Sequence, residues 1–223
     1  TERTVHWKSG YPIAPYLVSL AVHPYEVTLD DYTPLAGGAP MPLQHYVLPS
    51  NQSAADPMIA LTAPMLSAFA SRFGEYPFLA EKYGHAEFPV SGGMEHQTLS
   101  SIGRWSADLI AHELAHQWWG DALTCEDYGH VWIHEGFATW SEALWLEQSE
   151  GVQAYRDEMQ RIAYWGGGTI FVEQLDFSHI FDSGLSYNKG AWVVHMLRGV
   201  LGDADFFAGR TAGDDSVRSP SCV

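Results

Sequence analysis

The sequence predicts an α+β fold, on three observations. Short apolar runs bounded by proline or glycine, which are typical of strands, occur in the first half of the chain. Longer segments with apolar residues at helical spacing dominate the second half. A hydrophobic content of 46% and an aromatic content of 13% are typical of a folded globular protein and not of a disordered one.

Three short segments are predicted strands. The run 16–22 is apolar and lies between two prolines, which indicates a buried strand. A loop rich in Pro and Gly at 31–42 precedes a second predicted strand at 43–47. The third, within 85–94, ends at a pair of glycines that lets another backbone approach closely.

Five segments are predicted helices. The first, 54–73, has Gly74 as its C-cap and a kink at Pro64. The second, 106–119, has Ser106 as its N-cap and ends just before a glycine. Three further helices are predicted at 132–148, 151–164 and 187–201.

The chain divides into three parts. We expect a boundary near residue 25, so that 1–24 ends one domain and 25–208 forms the next. The tail 209–223 is polar, which favours disorder. Because the chain starts with Thr1 and lacks an apolar signal segment, we expect it to be cut from something longer.

Charge and cysteine content exclude several classes of partner and site. Asp and Glu number 27 against 11 Lys and Arg, and the formal net charge of −16 repels nucleic acid and anionic membranes. No apolar run reaches the roughly 18 residues of a membrane span, so we expect no membrane insertion. The two cysteines stand in no CxxC pattern and encode neither a disulfide framework nor a cysteine zinc site. The sequence indicates no compartment.

The second predicted helix carries an HExxH motif, His112-Glu113-Leu114-Ala115-His116. The i, i+4 spacing places both imidazoles on one helix face, about one turn apart, where they can hold a metal ion. Glu113, beside the first histidine, can reach a metal-bound water and take its proton as a general base. The plainer alternative is a pair of core histidines that match the motif by chance.

Glu135, after eighteen intervening residues and on the next predicted helix, is a candidate third ligand. Two His and one Glu leave one position of a tetrahedral zinc open for water, which is the ligand count of a catalytic site. Zinc-bound water has a pKa near about 7, so this set predicts one zinc ion per chain and metal-assisted hydrolysis. Cobalt or manganese would suit the same ligands.

The runs HELAHQWWGD and WIHEGFATW resemble the gluzincin aminopeptidases, the family of aminopeptidase N and leukotriene hydrolase. The resemblance extends from 11 to about 203 and implies a thermolysin-like zinc metallopeptidase catalytic domain. Such a domain has a small mixed sheet and a helical lobe that carries HExxH. The resemblance makes 1–24 the end of an N-terminal β domain, and implies a C-terminal helical domain that this chain lacks.

Upstream, the run Gly92-Gly93-Met94-Glu95-His96 resembles the GxMEN motif of that family. The resemblance implies that Glu95 grips the free α-amino group of a peptide, while backbone groups of the motif hold the peptide. A carboxylate fixed near the zinc places only the first peptide bond over the attacking water. Without the resemblance, Glu95 would be interpreted as a solvated loop carboxylate.

Two further residues complete the predicted site. Tyr187 lies in SYNKGAWVVHMLR, which is similar to the Tyr-x-Lys-Gly-Ala segment of the family, and the resemblance implies that its phenol stabilises the oxyanion. Glu142, seven residues after Glu135 and on the same helix face, is a candidate to hydrogen-bond a ligand imidazole from behind. Its alternative interpretation is a surface glutamate.

The chain departs from the family at two positions, where His96 and His134 replace the usual Asn. The first change leaves the geometry of the amine site open. The second creates a competing metal pair, because His130 and His134 are themselves four residues apart.

Three functions therefore compete. The first is a zinc aminopeptidase acting on peptides with a free N-terminus. The second is a thermolysin-like endopeptidase, which needs the same zinc site but not Glu95. The third is an inactive truncated chain that binds zinc or peptide, because the absent helical domain normally closes the cleft.

Overall fold

The structure, a computed structural model, describes residues 4–208 of the chain. A five-stranded mixed sheet lies in the first half and a helical lobe in the second half, so the predicted α+β class is confirmed. The predicted disordered tail at 209–223 lies outside the described residues. The domain boundary near residue 25 stays a prediction.

The sheet has the strand order β1-β2-β3-β5-β4. The strands are β1 Glu26–Tyr32, β2 Met41–Val47, β3 Tyr83–Glu87, β4 Gly93–Met94 and β5 Ser100–Ile102. β2, β3 and β5 run parallel to one another, and the two edge strands β1 and β4 pair antiparallel to their neighbours. Every residue of β3 is buried, as expected for a central strand covered on both faces.

Two strand predictions differ from the structure. The segment 16–22 contains a 3₁₀ turn, Pro15–Leu17, and no strand. Only Leu17 of this segment is buried, whereas Val18, Leu20 and Val22 are 65–84% exposed, so an apolar run was mistaken for a buried one. The segment 85–94 holds the end of β3 and all of β4, joined by a turn, rather than one strand.

The helices are α1 Gln52–Ile59, α2 Thr62–Phe73, α3 Ala107–Ala115, α4 Trp132–Glu150, α5 Val152–Arg161, α6 Phe177–Ile180 and α7 Gly190–Ala208. A π-helical segment, Ser183–Lys189, leads into α7. The predicted helix 54–73 is split in two, and Pro64 lies in the first turn of α2, where a proline costs no hydrogen bond. Gly74 adopts φ 85° directly after α2 and ends that helix as predicted.

The core forms where α4 packs against α2, α3, α5 and α7. Trp140 of α4 is fully buried, and its indole N–H donates to the Tyr155 hydroxyl at 3.0 Å. Arg198 of α7 donates to both Glu147 and Asp203 through pairs of hydrogen bonds of 2.7–3.0 Å. These contacts hold α4, the helix that carries Glu135, firmly against its neighbours. None of the helices within 4–208 combines the length and apolar character needed to span a bilayer.

Two buried histidines face each other across β2 and β3. His45 and His85 are both fully buried, and their Nδ1 atoms lie 2.9 Å apart. One ring donates and the other accepts, so the contact requires at least one neutral imidazole. Burial lowers the pKa of His45 to about 4 against a partly opposing effect of Asp30, and burial also lowers the pKa of His85.

We therefore expect acid to destabilise the fold through these two rings. A histidine whose folded pKa lies below its unfolded value near 6.5 contributes no penalty above that pH and destabilises the protein as the pH falls below it. For His45, the free energy of unfolding should fall by about 2 kcal/mol between pH 7 and pH 5.

Chemical denaturation of the wild-type chain and of His45→Gln at pH 7, 6 and 5 measures this effect. The variant should show the smaller pH dependence. Equal losses of stability in both chains over this range would contradict the assignment.

Candidate active site

The ends of α3 and α4 bring His112, His116 and Glu135 together. One ligand atom of each residue lies within 4.8 Å of the other two. The Glu135 carboxylate oxygen Oε2 lies 3.2 Å from His112 Nε2 and 3.4 Å from His116 Nε2. His116 and Glu135 are buried, and the His112 side chain is 12% exposed. The site is therefore sheltered but reachable at His112.

The local fold explains this convergence. His112 lies in the last turn of α3 and His116 is its C-cap, so both rings keep the one-turn offset of helical spacing. The predicted helix end at 119 is four residues too late, because residues 116–118 form a turn. A 3₁₀ turn, Tyr128–His130, then leads into the first turn of α4, which carries Glu135.

Both imidazoles are held by hydrogen bonds at Nδ1, the ring nitrogen that does not face Glu135. His112 Nδ1–H donates to Glu142 Oε1 at 2.8 Å, and His116 Nδ1–H donates to the Trp119 carbonyl at 3.0 Å. Because Nδ1 of each ring is engaged in these hydrogen bonds, the Nε2 atoms, which both face Glu135, are the ones available to a metal ion. The two-nitrogen, one-carboxylate donor set fits zinc. Glu142 thus lies where the sequence placed it, and the Trp119 carbonyl is a contact that side-chain spacing does not reveal.

The carboxylate and the two imidazoles of the three candidate ligands stabilise one another's charged forms. Burial opposes ionisation of Glu135, but the imidazoles of His116 and His112 outweigh it and hold the pKa of Glu135 below its ordinary value. Burial likewise opposes protonation of His112, and there the carboxylates of Glu135 and Glu142 outweigh it and raise the pKa. A metal ion that binds here would displace the protons that the Nε2 atoms of the two rings share with Glu135, so that both nitrogens become ligands.

Glu113 of α3 lies beside the same cluster, with a carboxylate oxygen within 4.8 Å of a ring nitrogen of His116. Its side chain is buried, and its Oε2 has no hydrogen-bond partner among residues 4–208. Burial raises the pKa of Glu113 to about 8, although the two imidazoles oppose this. Gly93 of β4 packs directly on this carboxylate, since a Cβ built at Gly93 would lie 2.7 Å from Glu113 Cγ and closer still to Oε1.

Glu95 follows β4 and lies next to Glu113 and His116. Its carboxylate, a carboxylate oxygen of Glu113 and a ring nitrogen of His116 lie within 4.8 Å of one another. Glu95 is buried, and burial raises its pKa. Gly93 and Met94 form the edge strand β4, and Gly92 precedes it at φ 90°. The segment resembling GxMEN therefore lies beside the candidate metal ligands.

Tyr187 covers His112. The two rings are stacked at 6.0 Å between centroids and 15° between planes. Burial, followed by the negative charge of Glu135, raises the pKa of Tyr187, which keeps its hydroxyl protonated as a donor. Backbone contact sets this position, because a Cβ on Gly136 of α4 would lie 2.7 Å from the carbonyl carbon of Gly190, just after the π-helical segment.

The two histidines that replace Asn have contacts of their own. His96 Nδ1 lies 2.9 Å from the Ser101 hydroxyl in the neighbouring strand β5. His134 Nε2 accepts the Cys125 backbone N–H at 2.8 Å, which ties the loop after α3 to α4. His130 contacts the Phe171 ring, and in the part of the chain that is described it belongs to no group of three candidate ligands.

Comparison with known proteins identifies the family. The model of the peptidase family M1 domain matches residues 93–212, more than half of the chain. The chain belongs to peptidase family M1. The resemblance of HELAHQWWGD and WIHEGFATW to gluzincin aminopeptidases is thereby confirmed.

Curated relatives of this M1 chain are aminopeptidases. Glutamyl aminopeptidase of Bos taurus is 30% identical over 227 residues, covering 88% of this chain and 23% of the relative. Aminopeptidase M1-B of Oryza sativa subsp. japonica is 34% identical over 139 residues, covering 56% and 16%. The chain thus spans less than a quarter of the length of these relatives.

Solved structures of the M1 family share the fold. The M1 zinc metallopeptidase from Deinococcus radiodurans superposes with a TM-score of 0.66 at 28% identity, covering 86% of this chain and 47% of that one. Aminopeptidase A of Legionella pneumophila has a TM-score of 0.74 at 18% identity, which shows the fold alone.

Proposed function

We propose that this M1 chain carries the catalytic centre of a zinc aminopeptidase, which hydrolyses the first peptide bond of peptides with a free N-terminus. One observation carries the proposal, namely that the carboxylate of Glu95 lies within 4.8 Å of ligand atoms of Glu113 and His116. When the N-terminal ammonium of a peptide binds Glu95, only the carbonyl of the first peptide residue reaches the metal ligands. Longer N-terminal extensions would collide with the buried Glu95.

His112, His116 and Glu135 would hold one zinc ion per chain, in the arrangement fixed by Glu142 and the Trp119 carbonyl. Zinc in a site of this type polarises the substrate carbonyl and makes water nucleophilic at neutral pH.

The remaining steps fall to side chains of this chain. Glu113 accepts the proton of the attacking water and delivers it to the leaving amine. Its carboxylate oxygen Oε2 is buried and has no hydrogen-bond partner among the described residues, so it is available for this purpose. The Tyr187 hydroxyl donates to the carbonyl oxygen as negative charge develops on it. Stacking on His112 fixes that donor before substrate arrives.

The edge strand β4 supplies the peptide-binding surface. Gly93 and Met94 pair with β5 on one side only in the described sheet, so the other edge offers backbone groups to a substrate strand. Gly92 and Gly93 carry no side chain that would keep a peptide away from Glu95.

We also infer that α7 packs against a further helical domain in the whole protein. Its exposed apolar residues are Met196, Leu197, Val200 and Leu201, with 46–83% of their surface exposed. An apolar helix face of this kind is typical of an interface. Nucleic acid is not a partner in this proposal, because the net charge is −16.

Hydrolysis of aminoacyl p-nitroanilides, beside their N-acetylated counterparts, tests the function. We expect cleavage of free-amine substrates only. Glu95→Gln should lower kcat/KM roughly 10- to 100-fold, since an ammonium bound to a carboxylate is worth about 1.5–3 kcal/mol. The exposed Glu126→Gln is the matched control and should behave as wild type.

The other outcomes separate the competing functions. Equal cleavage of acetylated substrates would indicate an endopeptidase. Stoichiometric zinc without turnover would indicate that the site in this chain needs the remainder of the whole protein for catalysis.

A further inference from the structure

The loop that carries Glu95 is attached to the end of the helix that carries the metal ligands. The attachment is Gln117, which follows His116 directly and is fully buried. Its side-chain Oε1 accepts the Thr98 backbone N–H at 2.8 Å. Its Nε2–H₂ donates to the Glu95 carbonyl at 3.4 Å. One amide therefore contacts the loop at two positions three residues apart.

This loop is held in a conformation that it would not adopt by itself. Thr98 has φ 65°, and no other residue besides glycine within 4–208 has a positive φ. For a β-branched residue, the left-handed region is sterically disfavoured. Lys82 Nζ donates to the Thr98 carbonyl at 3.0 Å, on the other side of the same residue. Gln117 and Lys82 thus offset the strain at Thr98 from both sides.

We propose that Gln117 is a positioning residue that sets the distance between the Glu95 carboxylate and the metal ligands. The same turn presents His116 to the metal site and Gln117 to the loop, so a shift of one is transmitted to the other. The inference rests on the proposed function, in which Glu95 binds the substrate ammonium. To that function the inference adds a structural cause. Gln117 holds the carboxylate that binds the ammonium at the distance from the scissile bond that one amino-acid residue spans.

A residue that merely fills the core would behave differently. Loss of packing at Gln117 alone would weaken the fold, and with it every ligand of the site. Loss of positioning would weaken only ligands that use the Glu95 carboxylate. A pair of inhibitors that differ only in the free amine separates these two roles.

The experiment is calorimetric titration of the zinc-loaded 223-residue chain with leucine hydroxamate and with N-acetyl-leucine hydroxamate. The hydroxamate group binds the metal in both compounds, and only the first carries an ammonium. In Gln117→Met, which keeps the length and loses the two hydrogen bonds to the loop together with the one from Tyr76, we expect about tenfold weaker binding of the free-amine compound. Binding of the acetylated compound and zinc content should stay at wild-type values.

Tyr76→Phe is the matched control. The Tyr76 hydroxyl lies 3.2 Å from the same Gln117 Oε1 and 3.2 Å from the Lys82 carbonyl, but among the described residues it forms no hydrogen bond with Glu95 or Thr98. This variant should bind both compounds as wild type does.

Two results would overturn the inference: unchanged affinity for both compounds in Gln117→Met, or an equal loss for both. Failure of the proposed function gives a different pattern, in which the wild-type chain itself binds the two compounds equally well.

Discussion

Glu113→Gln is expected to lower kcat on free-amine aminoacyl p-nitroanilides by about 10³-fold, while zinc content stays at the wild-type level. Glutamine has almost the same volume as glutamate and fits the buried position of Glu113. Its amide cannot take a proton from water at neutral pH, so the general base is lost. His112, His116 and Glu135 keep their positions, because none of them uses the Glu113 carboxylate as a hydrogen-bond partner.

Three measurements on the same preparation test this expectation. They are kcat, zinc content by atomic absorption and the midpoint of thermal denaturation. Glu150→Gln, at the exposed end of α4, controls for the loss of one negative charge. A variant that keeps more than about one tenth of the wild-type kcat would show that another group takes the proton.

The candidate metal ligands can be proposed from the sequence because the signals that point to them are local. HExxH spacing fixes the relative position of two rings on any helix, and Glu135 lies in the first turn of a separate helix. The spacing does not reveal that the two helices lie side by side, because chain topology brings them together. The resemblance to the family indicated this arrangement. Glu95 and Tyr187 depended on the resemblance entirely, because a loop carboxylate and a helix-initiating tyrosine carry no local signature of catalysis.

The features that the sequence did not reveal are long-range contacts that involve backbone groups and polar side chains. Gln117 reads as an ordinary polar residue after HExxH, yet it accepts a hydrogen bond from a residue nineteen positions earlier. Gly136 lies inside a predicted helix, where a glycine costs about 1 kcal/mol relative to alanine. Such a position indicates that close packing requires the glycine. That its partner is the backbone of Gly190 depends on how α4 meets α7.

The wrong predictions for the segments 16–22 and 54–73 also arose because the sequence pattern does not show long-range contacts or element ends. The run 16–22 has the composition of a buried strand, but a strand also needs a neighbour, and none of the described strands pairs with it. The helix at 54–73 was predicted as one element because its apolar spacing continues through the break at 60–61. Apolar pattern predicts which segments are regular more reliably than where they end.

Gly93→Ala is expected to lower kcat by about 10²-fold or more without removing zinc. A Cβ at position 93 would overlap the Glu113 carboxylate and lie 2.7 Å from its Cγ, so the general base must move. A displacement of about 1 Å in a catalytic group is enough for a loss of this size. The fold should lose little stability, because the overlapped atoms belong to a side chain that can rotate away. Gly167→Ala, where a Cβ meets nothing within 4 Å, is the matched control.

A double-mutant cycle decides whether this loss acts through Glu113. If Gly93 matters because it leaves room for the carboxylate, then Gly93→Ala should change kcat very little in a Glu113→Gln background, where no base remains to be displaced. The two single effects would then be strongly non-additive. Independent, multiplicative losses in the double variant would instead place the role of Gly93 in peptide binding along β4. In that case the loss in the single variant should appear as a higher KM for substrates longer than one residue.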